Sequence, residues 1–150
     1  MTPNLLPSQR VALVDIIDPD AYAAGAVSTG WIAAKDFLSF LAVVTAGDLG
    51  ASATVDAKLE QATSAAGAGA KDITGKAITQ LTKAGTDDNK QALINLKQEE
   101  LDVNNGFTHF RLTVTVGTAT SDAGGFVLGL DPAYGPANAN YLASVDEIVA

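Results

Sequence analysis

The sequence has no cysteine and a single histidine, His109. Without thiols the chain can form neither a disulfide framework nor a thiolate metal site, and a cysteine nucleophile is excluded. One imidazole, with no second histidine and no nucleophile near it in sequence, makes neither a zinc set nor a catalytic triad. The chain therefore reads as a non-enzyme that needs no metal and no cofactor. Aromatic residues are scarce at 6%, and Trp31 is the only tryptophan. Basic residues are few as well: 9 Lys and Arg stand against 17 Asp and Glu, for a formal net charge of -8. Such a surface repels phosphate and anionic lipid, so neither nucleic acid nor membrane is expected as a partner. The longest apolar run, residues 37–46, is interrupted by Ser39 and Thr45 and falls well short of the roughly 20 residues a bilayer span requires. The opening MTPNLLPSQR has neither the basic start nor the apolar stretch of a secretory signal, which leads us to expect folding in the cytoplasm of the producing cell.

What the chain does contain is Ala, Val and Leu in quantity, 47% hydrophobic residues in all, and 14 glycines. That mixture suits short strands joined by small-residue turns, and 150 residues suffice for one domain with a real core. The clearest strand covers residues 54–60, where Val55, Ala57 and Leu59 alternate with Thr54, Asp56, Lys58 and Glu60. After it, residues 65–70 hold only Ala and Gly, too small to pack, and read as a wide surface loop. Residues 10–18 form a strand with apolar residues on both faces, ended by Asp18-Pro19-Asp20. Two aspartates around a proline are either a local turn or oxygen ligands for a hard cation; the turn chemistry of Asp and Pro accounts for them without further spacing signals. Residues 37–46 lack alternation, which fits a strand buried on both faces or a short buried helix. Gly47-Asp48-Leu49-Gly50 has no Lys-Ser/Thr after it and is a turn, not a phosphate loop.

Further along, residues 92–97 alternate again, Asn104-Asn105-Gly106 marks a turn, and residues 109–116 alternate with His109 and Arg111 on the polar side. The adjacent Glu99 and Glu100 point to opposite faces of an extended chain and make no acid/base pair. Residues 117–125 read as a polar loop and 126–130 as a short strand. Eight or nine strands with no crossover helix between them give an all-β fold, an antiparallel β-sandwich of the jelly-roll form, with extended N- and C-terminal arms. The sandwich occupies residues 10–136, an arm residues 1–9 and a tail residues 137–150. Pro3 and Pro7 keep the arm extended around Leu5 and Leu6, so that it either docks on a neighbour or frays. The tail is either a second extended arm or a short helix with Tyr141, Leu142, Val145 and Ile148 along one stripe. Apolar residues that these segments cannot bury locally, Leu5, Leu6, Pro7, Tyr134, Tyr141 and Leu142, together with Trp31, are the candidate contacts to other subunits.

Three stretches carry a resemblance: AKLEQATSAAGAGAKDITGKAITQL, EELDVNNGFTHFRLTVTVG and FVLGLDPAYGP. Over roughly residues 54–136 the chain resembles a family of small tailed-phage virion proteins associated with the capsid. The resemblance implies a decoration (cement) protein on the outside of the head, or the base of a head fibre, located in the virion and carrying no catalytic residues. It also implies the major capsid protein as partner and self-association, for which a homotrimer on the local three-folds of a shell is expected. The alternative function is a receptor- or carbohydrate-binding jelly-roll module, which would need exposed aromatics around Trp31 and the three tyrosines.

Overall fold

Period-two alternation builds most of the molecule, whose computed structural model describes residues 4–149. Among the described residues ten strands form: β1 (Val11–Tyr22), β2 (Gly25–Ser28), β3 (Ile32–Ala33), β4 (Phe37–Ala46), β5 (Thr54–Ala62), β6 (Lys71–Ala77), β7 (Leu81–Thr82), β8 (Gln91–Lys97), β9 (His109–Gly117) and β10 (Ser121–Pro132). A one-turn helix α1 (Pro7–Arg10) precedes them, and a 3-10 turn at Ala137–Asn140 follows.

The strands assemble into two sheets. The first has the order β1-β10-β4-β8; the second has β2-β9-β5-β6, with β3 added on β9 and β7 on β5. Every pairing is antiparallel. The pairs β1 with β10, β2 with β9, β4 with β8 and β5 with β6 nest inside one another, as they do when a long hairpin is rolled up, and β10–β4 and β9–β5 contacts close each sheet. This is the jelly roll, with its two Greek keys.

The core lies between the sheets. Phe37 and Phe40 from β4 meet edge to face with ring centroids 5.8 Å apart, and Phe40 meets Phe110 of β9 at 4.6 Å. Leu59, Leu96, Leu112, Val44, Val55 and Val114 fill the space around them and are fully buried. Each such side chain stabilises the fold by about 1.5–3 kcal/mol relative to exposure.

Three strands differ from the sequence expectation. β10 begins at Ser121, so the polar loop expected over residues 117–125 shrinks to three residues and its glycines lie in a strand. Gly125 and Gly129 face inward there: a Cβ at Gly129 would sit 2.6 Å from the Phe37 ring, and one at Gly125 would sit 2.8 Å from the Val43 carbonyl oxygen. These glycines make room for the core and do not break the chain. β1 likewise runs straight through Asp18-Pro19-Asp20, where a turn was expected, and ends at Tyr22. Pro19 falls in a register shift between Ile17 and Asp20 on an edge strand, where its missing N–H leaves no ladder bond unmade. β4 is a strand and not a helix, and it is buried on the core side only: Phe40, Ala42 and Val44 point inward, while Leu41 and Val43 point outward and are half-buried.

Candidate functional site

A second-sheet surface rich in paired charge covers one outer side of the sandwich. Its outward positions on β5 and β9 are Asp56, Lys58, Glu60, Arg111, Thr113 and Thr115, because the alternate residues fill the core. Glu60 accepts hydrogen bonds from Arg111 Nε at 2.8 Å and from Thr113 Oγ1 at 2.6 Å. Lys58 Nζ lies 2.7 Å from Asp72 and 3.7 Å from Glu60, and Gln80 donates to Asp56 at 2.7 Å. Burial alone would raise the Glu60 carboxyl, but the Thr113 and Arg111 donors outweigh it and hold the group below the usual carboxylate range. The hydrogen bond to Asp72 raises the Lys58 ammonium above its ordinary value. Charge and hydrogen bonding are thus settled within this face.

Trp31 stands at the edge of the same surface. The Arg111 guanidinium covers its ring at 4.5 Å. Gly67, at a left-handed φ of 80°, presses on the indole so closely that a Cβ would lie 2.5 Å from Nε1. The Ala/Gly loop is mostly exposed, as expected, and is closed by bonds from Thr63 N to Ala68 O and from Ala66 N and Ala68 N to Ser64 Oγ.

The outer face of the first sheet is of another kind. Register places Ile16, Phe126, Val43 and Leu93 in one row across all four strands, and Leu13, Leu128 and Leu41 in the row beside it. Val11 and Leu130 extend the apolar surface at the end. All are half-buried except Leu93, which is 60% exposed. A register shift between Leu13 and Asp15 produces the arrangement: it lets Ala12 and Ile17 point inward on the same strand from which Leu13 and Ile16 point outward. Sequence reasoning missed this face, although its signal was present. Apolar residues on both sides of segments 10–18 and 37–46 look like double burial when only the chain is read.

The seven candidate contacts do not gather on one surface. Leu5 is half-buried, Leu6 is 46% exposed and Pro7 opens α1, so the described part of the expected extended arm ends in a helical turn. Proline is tolerated there because the first helical N–H has no partner in any case. Residues 1–3, with Pro3, lie outside the described residues. Tyr134 is 78% exposed on the loop after β10. Tyr141 donates from its hydroxyl to Val11 O at 2.7 Å, and Leu142 N donates to Leu13 O at 2.8 Å. The tail therefore lies along its own β1. The helical stripe does not form; the only helical piece is the turn Ala137–Asn140, which packs on α1.

The surface also carries open grooves. One of 570 Å³ runs between Asp20, Gly47 and Asp122, and one of 410 Å³ is walled by Leu101, Val103 and Phe107. His109 lines neither; its Nδ1 lies 2.9 Å from the Thr108 hydroxyl. Among the described residues, no three His, Cys, Asp or Glu side chains cluster to hold a metal ion.

No known family pattern and no curated protein matches the sequence. Solved structures match in shape. A chain of the cowpea mosaic virus empty virus-like particle superposes with a TM-score of 0.50 at 11% identity, covering 90% of this chain and 89% of its own. The infectious bursal disease virus VP2 subviral particle gives 0.48 at 14% identity, covering 92% of this chain and 37% of the other. Tobacco streak virus coat protein gives 0.40 at 9% identity, with 88% and 91% covered. At such identities the likeness is one of fold, and the first match carries it: this chain is an antiparallel two-sheet jelly roll, similar over nearly its whole length to a chain of that viral particle.

Proposed function

We propose that the chain is a structural protein of a virus particle, a decoration (cement) protein bound to the outside of a tailed-phage head. The observation that carries the reading is the fold shared with a viral particle chain over 90% of this chain and 89% of that one. The tailed-phage resemblance of residues 54–136 points the same way. In this reading the protein is made in the host cytoplasm, acts on the head exterior, binds the major capsid protein and associates with itself, as a trimer on local three-folds. Leu5, Leu6, Pro7 and Tyr134 are its outward contacts. Several weak contacts engaged together raise apparent affinity well above any one, and so clamp neighbouring capsid subunits against the pressure of packaged DNA. The carbohydrate-binding alternative has less support, since the Arg111 guanidinium covers one face of the Trp31 ring.

The test is a comparison of particles with and without the protein. The chain is expected to co-purify with intact heads in fixed ratio, and heads lacking it are expected to release DNA at a lower temperature. Heads of equal stability, with no chain bound, would refute the proposal. Deleting residues 1–9 tests the arm separately: undiminished binding to heads would rule out its role.

A further inference from the structure

The two outer faces of the sandwich are built for different neighbours. Antiparallel sheets commonly present polar residues to water on their outer side, and the second sheet does so with Asp56, Lys58, Glu60 and Arg111. The first sheet instead carries its rows Ile16-Phe126-Val43-Leu93 and Leu13-Leu128-Leu41 in the outward positions. Four strands of about seven residues, at ~4.8 Å between strands and ~3.3 Å per residue, make this a face of roughly 450 Å². Apolar patches of about 300–600 Å² are the largest that a typical soluble monomer shows, and those are commonly functional.

We infer that this face is a contact between copies of this chain. Area is the first argument. Two such faces, their polar margins included, bury roughly 900 Å², somewhat under the ~1,200 Å² at which specific interfaces begin. Ser39, Asn95 and Lys97, which flank the rows in register, supply the rim. Charge is the second argument. A chain of net charge -8 repels its own copies over most of its surface. Contact through the second sheet would require the paired charges of Lys58, Glu60, Asp72 and Arg111 to be stripped of water, whereas the two apolar rows hold no charged group. Identical sheets stack face to face at about 10 Å with their side chains interdigitated. The inference rests on the virion reading for its purpose but not for its test, which needs no particle.

Sedimentation equilibrium of the full chain from micromolar to millimolar concentration is expected to show a species at a multiple of 15.3 kDa. Leu128→Lys, in the centre of the face, and Leu93→Lys, at its exposed margin, are each expected to weaken association about tenfold or more, with the circular dichroism of the sheet unchanged. Thr115→Lys, exposed on the other sheet, is expected to leave it intact. A wild-type chain that stays at 15.3 kDa throughout overturns the inference, as does association that survives the lysine variants. If Leu128→Lys fails to fold, Leu93→Lys decides alone. A chain that is monomeric by itself yet binds heads overturns this contact and leaves the decoration reading standing; self-association through this face without head binding does the reverse.

Discussion

Gly129 shows how much of this core is settled by single atoms. Its missing Cβ is the space in which the Phe37 ring lies, and the ring cannot withdraw because Phe40 packs edge-on against it. Gly129→Ala is expected to cost about 1–3 kcal/mol as an overpacking change, read as a lower urea midpoint, and an unchanged midpoint would show that Phe37 yields freely. Glu60 is the electrostatic counterpart. Its carboxyl is held low by Thr113 and Arg111 against the opposing effect of burial, and Glu100 is held low by Lys76 and the Lys97 backbone. Groups whose folded pKa lies below the unfolded value contribute stability that is fully present above the unfolded carboxylate range and is lost as pH falls through the folded value. The denaturation midpoint should therefore be flat near neutral pH and decline below the ordinary carboxylate range. Glu60→Gln should make that decline shallower, and an identical acid profile in the variant would contradict the assignment.

Among the elements, β5, β8 and β9 were legible because each has one buried and one solvated side, and strict alternation is the imprint of that condition. β10 was legible only over residues 126–130, because Gly124 and Gly125 ahead of them look like loop residues in a sequence. β1 was cut short at Pro19 because a proline in a strand interior normally argues against the strand; an edge position with a register shift removes the objection. The tail gave apolar spacing compatible with a helix, yet its backbone is more useful bonding to the free edge of β1. That docking makes a prediction: the Leu142 amide, bonded to Leu13 O, should exchange with solvent more slowly than the amides of exposed Ala143 and Ser144. Equal rates would mean that the tail does not hold to β1 in solution. Tyr141→Phe, which removes the bond to Val11 O, should lower stability by about 1 kcal/mol in denaturant titration.

For the molecule as a whole, the sandwich could be read from strand count and the lack of crossover helices, while the character of its two outer faces could not. Which face of β1 or β4 meets solvent depends on where the second sheet lies, and that is a matter of long-range pairing which no local window contains. The candidate contacts at the chain ends rest on segments that, read alone, offer no local place to bury their apolar residues. Tyr141 and Leu142 instead bond to the chain's own first strand, and the larger apolar surface lies on the first sheet. One sheet finished in paired charge and the other in apolar rows give the sandwich two unlike outer faces, the difference on which the proposed contact between copies rests. Cryo-EM reconstruction of the particle tests this most directly. The account predicts density for a two-sheet sandwich on the outside of the head, repeated with the symmetry of the shell, with the Leu13-Leu128-Leu41 face buried against protein. A head without such density, or a sandwich whose first-sheet face stands open to solvent, would contradict it.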